Sequence, residues 1–446
     1  PMPPSPSAVP GILGNTRLSR FDVVLVGSGA GGSAAARVLA TNGLTVCVLE
    51  AGPNYFLGLD DPRPGFPISL YSNDEVKLSV RALIGRRTRV EPMSFRPTAG
   101  AGERTFVGDV NALPKTVGGA AVHSDVKYPR SEAWDFRIRS ELGEVPGASF
   151  ADWPFDYDEL EPYYAAAERL SGVQGVTGAD PFAAPRSGPY PMETFGPRMY
   201  VDHVLSAGAE KLGLHPFPYP TAANARDYGG RPPCNDCGFC SGYGCPTNAK
   251  GSPAVTTLRD ALLTGLCQVR HDCTATRIVT DASGRRATAV EYLDPQGRTE
   301  RVEGDRVIVA ANGIETPRLL QLSDPDGPGL GNSSGMLGRN LMFHFQTTGV
   351  GVYPQRFHVE RGRSVTGGFS DFRGRPRDPK RPLAGIVEFG GYSEKIAESL
   401  VYVTTSGLRG SLLKDFLRAN PQGAHIAVLT MQAEDAPQLT NRVDLD

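Results

Sequence analysis

Apolar and polar positions along the chain fall into three successive patterns. From Phe21 to Gly52 the run FDVVLV, a glycine turn, an Ala-rich stretch and the run VCVLE predict a strand, a helix and a second strand ending in an acid. Pro53 to Gly108 has little periodicity and reads as long loops of the kind that cover a ligand. Lys115 to Arg130 is a Gly-Gly turn leading into small residues, and Trp153 to Leu170 is a helix with one apolar face that Asp156 can cap. A polar, Pro-rich span follows, from Thr177 to Pro233. Next come a helix over Ser252 to Gly265 and two strand-turn-strand signals, bent at Asp281 to Arg285 and at Pro295-Gln296-Gly297. The continuous apolar run from Arg306 predicts a buried parallel strand entering a turn and a helix. Beyond Phe345 the period changes to alternation, over Thr347–Tyr353, Leu383–Phe389 and His425–Gln432, which predicts a mostly antiparallel sheet.

These elements predict an α/β fold: a doubly wound, Rossmann-like parallel sheet over residues 21–345, with insertions near 53–110 and 150–233. A second, mostly antiparallel substrate domain follows over 346–446, and residues 1–20 form an N-terminal extension. The length of 446 residues suits two domains. Net charge is −2 and charged residues are 21%, so there is no electrostatic footprint for nucleic acid and the partners are expected to be small molecules. No apolar run reaches about 18 residues, so no transmembrane segment is expected. The start lacks a charged segment followed by an apolar core, so it does not read as a secretory signal. With seven cysteines, an odd number, a disulfide scaffold is not expected and the cytoplasm is the compartment the sequence favours, export alongside a partner staying open.

Candidate chemistry begins at the glycine turn. Gly27 permits the tight strand-to-helix turn, Gly29 lets a pyrophosphate approach the backbone, and Gly32 lets the helix lie on the sheet. Glu50 closes the second strand, where a carboxylate accepts from ribose hydroxyls and repels a 2′-phosphate. That favours FAD or NAD over NADP, and the continuation Glu50-Ala51-Gly52 favours FAD. Cys234, Cys237, Cys240 and Cys245 form CxxCxxCx₄CP, one residue longer than a ferredoxin loop. Such spacing can bring four sulfurs onto an iron–sulfur cluster or zinc, or leave thiols or disulfides without metal.

Taken in order, the fingerprint, the KTVGGAAVH block, CNDCGFCSGYGCPTNAKGS, VIVAANGIETPRLL, LGRNLMFH and MQAEDAPQLTNRVDLD resemble the GMC (glucose–methanol–choline) oxidoreductase family, FAD enzymes that oxidise alcohols. The resemblance implies hydride transfer from the CH–OH group of a small alcohol, polyol, sugar or sterol to flavin. It points towards the glucose, gluconate and sorbitol dehydrogenase branch, with electrons leaving for an acceptor other than oxygen. The expected cofactor contacts are Gly27, Ser28, Gly29, Ala30, Gly31, Gly32, Glu50, Ala51, Gly118, Gly119, His123, Ala275 and Ala311. His123 stands where some members bond FAD covalently; covalent link, flavin-contacting donor and plain loop residue stay open. The chain departs from the family at Asn312, where Gly is usual, and at Ala120 and Ala121, where Ser or Gly is usual.

The family's proton-abstracting His and its partner are expected after Asp446. Since a positioned base supplies roughly 10²–10⁴-fold, residues 1–446 alone are expected to be nearly inactive. No histidine is assigned as the base: His203, His215, His271, His358 and His425 read as surface or structural, and His344 as a core residue. An alternative function is an electron-transfer or cofactor-binding subunit with an iron–sulfur cluster, served by an electron-acceptor protein or a small subunit. An NAD-dependent reductase is the third reading, disfavoured by the VGGAAVH block.

Overall fold

A computed structural model describes residues 18–60, 65–71, 94–95, 106–107, 114–193, 196–359, 361–373, 383, 385–390, 407–419 and 425–445. Most of the N-terminal extension and of the 53–110 lid segment lies outside the described residues.

The larger sheet has six strands in the order Cys267–Arg270, Val46–Leu49, Arg20–Val26, Thr299–Val309, Ala287–Leu293 and Thr274–Thr280. The first four run parallel, and the last two join as antiparallel partners. Its apolar runs are continuous because both faces are covered. Leu25, Val46 and Val48 point to one face, where Ala36 and Ala40 of helix Ala30–Thr41 meet Leu258 and Ala261 of helix Thr257–Leu263. Val24, Val26, Cys47 and Leu49 point to the other, against Ile278, Val290 and Leu319, the last from helix Asn312–Leu322. The alternation is the two-residue period of a strand expressed inside an all-apolar sequence.

The strand expected from Arg306 begins earlier, at Thr299, because its first half pairs with Ala287–Leu293 and its second half with Arg20–Val26. It is also only half-buried over Val307 to Ala310, since that end opens on a cleft.

The second sheet is antiparallel, in the order Phe345–Val352, Ile426–Ala433, Gly385–Phe389, Gly367–Phe369 and Phe217–Pro218. Val387, Phe389 and Phe369 pack with Leu429 and Met431 against Leu205 and Ala209 of helix Tyr200–Lys211. The last strand, Phe217–Pro218, comes from far upstream of residue 346 and pairs with Gly367 and Gly368.

Helix Tyr157–Ser171 begins as its sequence requires, the Asp156 side chain accepting from the Glu159 N–H at 3.0 Å. It anchors a buried ion network. Glu168 accepts from Arg130 at 2.9 and 3.0 Å and from Arg186 at 2.9 and 2.6 Å, while Arg130 also donates to Glu161 at 2.8 Å. The Ser187 N–H and the Arg130 guanidinium hold Glu161 down from 4.5 to about 2. Burial would raise Glu168, but the hydrogen bonds from Arg130 and Arg186 outweigh it and the net shift is downward.

Both carboxylates therefore contribute stability that is complete above the ordinary carboxylate range and is lost as pH falls through the lowered folded values. The melting temperature is expected to drop between pH 4.5 and 2. Arg130→Met is expected to cost about 3–5 kcal/mol at neutral pH, because it takes the guanidinium from Glu161 and leaves Glu168 with Arg186 alone. Denaturant melts of the two proteins across that pH range check both.

Candidate functional site

The cleft forms where the parallel strands end. Gly27 N–H donates to Leu49 O at 2.8 Å and Ala310 N–H to Val26 O at 2.8 Å, so three strands converge on the glycine turn. Gly27 has φ +97°, and a Cβ there would lie 2.4 Å from Ala310 O. At Gly32 a Cβ would lie 2.0 Å from Gly27 O, so the helix sits on the turn only because that side chain is absent. Helix Ala30–Thr41 starts with no side-chain cap at Gly29 and no acid in its first turn. Its first intrahelical bond is Ser33 N–H to Gly29 O, at 2.8 Å. The N–H groups of Ala30, Gly31 and Gly32 precede that bond and, with the positive end of the helix dipole, suit an anion.

A second glycine loop closes on the first. Gly119 has φ +67°, and a Cβ on it would lie 2.6 Å from Gly29 Cα, so two backbones touch. Ser28 locks the pair: its hydroxyl donates to Glu50 Oε2 at 2.6 Å and accepts from the Gly118 N–H at 2.9 Å. Ser28 is fully buried, which makes it the joint behind the cleft rather than part of its wall. Glu50 also accepts from Ser28 N–H at 3.0 Å and, through Oε1, from Gly52 N–H at 2.8 Å. Burial raises the Glu50 carboxyl, with the hydrogen bonds from Ser28 and Gly52 opposing. Glu50 lines the cleft, and its Oε1, having accepted one of these bonds, has the capacity to accept another.

Of the residues expected from sequence, Gly27, Gly29, Glu50, Ala51, Gly119, Ala275 and Ala311 line one cleft. Ala30, Gly31 and Gly32 supply the helix start beside it, and Gly118 sits behind with Ser28. His123 lies outside the lining: it is buried, with its ring edge-on to Tyr71 at 5.2 Å between centroids. Lys115 and Arg318 also line the cleft and were not singled out in the sequence, as two isolated cations in loop and helix carry no pattern. Tyr71 is a further residue the sequence did not reveal. Its hydroxyl is 3.1 Å from Thr116 Oγ1, and its ring fills the space that a side chain at Gly244 would need. Asn312 adopts φ +70°, a region where Asn is tolerated, and its Oδ1 accepts from the N–H groups of Ile314 and Glu315 at 2.8 and 3.0 Å. The replacement of Gly therefore keeps the turn.

The cysteine loop does not form the ligand set its spacing suggests. Among the described residues no group of three or more His, Cys, Asp or Glu is placed to hold a metal ion. Cys234, Cys237, Cys240 and Cys245 are not joined by disulfides, and burial pushes Cys234 up to about 12 and also raises Cys240, so both favour the neutral thiol. The loop is shaped by other bonds. The buried Lys250 ammonium donates to Ser124 O, Cys240 O and Tyr243 O at 2.8, 2.7 and 2.7 Å, and the Gly242 N–H to His123 O at 2.9 Å. As placed, the four thiols are not gathered on one metal position.

His203, His215, His344 and His358 are exposed, and His271 and His425 are half-buried. His344, expected in a core, thus lies at the surface, because the sheet that starts at Phe345 leaves that end open. Among the described residues no helix is long and apolar enough to cross a membrane.

Comparison with known proteins agrees with this geometry. The GMC oxidoreductase domain matches residues 147–346. Fructose dehydrogenase large subunit of Gluconobacter japonicus is 32% identical over 76% of this chain and 60% of its own length. Gluconate 2-dehydrogenase flavoprotein of Pantoea cypripedii is 28% identical over 75% and 57%. 2-Methyl-1,2-propanediol dehydrogenase of Mycolicibacterium austroafricanum is 29% identical over 97% and 74%. The chain thus spans about 57–60% of the length of the first two relatives. A solved structure of Aspergillus oryzae formate oxidase superposes with TM-score 0.56 at 15% identity, covering 95% of this chain and 74% of that one, a likeness that bears on the fold. With a matched domain and relatives aligned over three quarters or more of the chain, this protein belongs to the GMC oxidoreductase family.

Proposed function

We propose that this chain is the cofactor-binding part of an FAD-dependent enzyme that oxidises the CH–OH group of an alcohol or sugar and passes the electrons to an acceptor other than oxygen. The observation that carries the reading is the backbone contact of Gly29 with Gly119, which sets a second glycine loop against the dinucleotide turn. A dinucleotide that needed only its phosphates bound would have no use for that second loop; a ring system at its far end does. The N–H groups of Ala30 to Gly32 would bind the pyrophosphate, Glu50 Oε1 a ribose hydroxyl, and Gly119 and Ala120 the approach to the ring. Lys115 and Arg318 line the same cleft, the Arg318 guanidinium 3.4 Å from the Glu315 carboxylate, which also lines it. Bound FAD supplies the hydride acceptor.

Residues 21–345 are assigned to the cofactor domain, with the sheet after residue 345 facing the substrate and Phe217–Pro218 completing that sheet. The names of relatives support the remaining parts. Fructose and gluconate dehydrogenases favour a sugar-type substrate and a non-oxygen acceptor, and "large subunit" favours a partner subunit, which co-purification checks.

Full-length protein mixed without oxygen with alcohols, polyols, sugars and sterols is expected to lose its flavin absorbance with at least one of them. If none bleaches the flavin, the activity is wrong. A nicotinamide-dependent change at 340 nm would instead favour an NAD reductase.

A further inference from the structure

The antiparallel sheet has two unlike faces. Its register sets Glu388 opposite Thr430 and Thr430 opposite Thr348, and likewise Ile386 opposite Gln432 and Gln432 opposite Gln346. Directly opposed residues, and residues two apart, share a face. One face therefore carries Gln346, Thr348, Glu388, Thr430 and Gln432 grouped at one end with Ile386 beside them, and Val350, Val352, Ile426 and Val428 towards the other end, while the opposite face carries the Val387, Phe389, Leu429 and Met431 cluster that packs on helix Tyr200–Lys211. Gln346 and Thr348 are exposed, and Thr430 and Gln432 are half-buried.

The polar end of this face is reached by the segment that follows the second glycine loop. Lys127, four residues after His123, places its ammonium 2.7 Å from Glu388 Oε1, and Gln432 Nε2 donates to the same oxygen at 3.1 Å. Glu388 is 5% exposed, and its other oxygen, Oε2, is buried with no hydrogen-bond partner among the described residues. Asp125 Oδ1 is in the same condition, with Asp125 Oδ2 3.9 Å from the Lys127 ammonium. Buried carboxylate oxygens without donors are costly and uncommon, and a pair of them around one lysine calls for donors from elsewhere. The Lys127 ammonium has three donors, one of them committed to Glu388 at short range.

Resting on the reading of the chain as an alcohol- or sugar-oxidising enzyme, we propose that this face recognises the hydroxyl groups of a polyhydroxylated substrate. Lys127 and Gln432 contact those hydroxyls, and Glu388 is the positioning residue that holds both. A sterol or long-chain alcohol laid on this face would strip water from charged and amide groups without replacing their hydrogen bonds. A polyol returns a donor and an acceptor at each carbon.

The test uses full-length, flavin-loaded protein with D-sorbitol and 1-butanol. Lys127→Met is expected to lower the ratio of kcat/KM for sorbitol over that for 1-butanol at least 10-fold, mostly through KM, with Lys127→Arg recovering part of the loss. Flavin content and melting temperature report whether the variant is folded. If Lys127→Met loses its flavin, Gln432→Leu, which keeps the ion pair, carries the same comparison. An unchanged ratio in a folded variant overturns the inference, as does a wild-type protein that oxidises 1-butanol and no polyol; in both cases the alcohol-oxidising activity stands. Flavin that no substrate bleaches defeats the proposed activity itself, and this inference with it.

Discussion

Gly119→Ala protein is expected to purify without flavin. The added Cβ would stand 2.6 Å from Gly29 Cα, in a backbone conformation of φ +67° that side chains disfavour by about 1–2 kcal/mol. Neither side of the clash can relax by rotating a side chain, since both partners are backbone. The two loops must part, which breaks the Gly118 N–H bond to Ser28 Oγ and loosens the Ser28 grip on Glu50. Losing the bond and the close approach together is expected to weaken FAD at least about 100-fold, roughly 2.7 kcal/mol. The ratio of absorbance at 450 to that at 280 nm, followed by titration of added FAD, measures it. Gly208→Ala is the matched control, since a Cβ in that helix meets nothing within 4 Å. A yellow Gly119→Ala protein with wild-type affinity would remove the central support for the cofactor site.

Lys250→Met is expected to have the largest effect on stability. Lys250 is 3% exposed, and all three of its donors are spent on backbone carbonyls at 2.7–2.8 Å. Methionine fills similar space but donates nothing, so Ser124 O, Cys240 O and Tyr243 O are left without that donor. At about 1–3 kcal/mol for each unsatisfied buried group, the loss is comparable with much of an ordinary folding free energy. Insoluble protein, or a melting temperature lower by roughly 10 °C or more, is expected. Because the same lysine seals the cysteine loop, the Cys240 thiol, buried and raised in the native protein, should react with a thiol reagent faster in any soluble variant. A variant with native melting and native thiol reactivity would show that the loop is held by other means.

Legibility in the sequence tracked the range of the interactions. Gly32 could be read because the atom it must clear, Gly27 O, lies within a few residues, Gly27 because its φ of +97° is a demand of the turn itself, and Asp156 because a cap is local. The strands from Thr274 to Val309 were visible through their turns. The cysteine spacing left its outcomes open for a related reason: it reports what a loop can do, whereas Lys250 and the Gly242–His123 bond, which shape the loop here, carry no signal in the pattern. Ser28 appeared as one more residue of a phosphate turn, and only the fold shows it tied to Glu50 and Gly118 across 22 and 90 residues. Tyr71 and the two-residue strand Phe217–Pro218 had no local signature at all, being defined by partners far along the chain.

That short strand bears on how the protein could be divided or recombined. A segment cut at residue 346 would carry four strands of the roofing sheet and expose the edge that Phe217–Pro218 covers, leaving Gly367 and Gly368 without their neighbours. Grafting the roof of one enzyme onto the base of another therefore requires two crossovers, one near residue 217 and one near 346. During synthesis the sheet can close only against a piece of chain made some 150 residues earlier, a long-range pairing of the kind that slows folding.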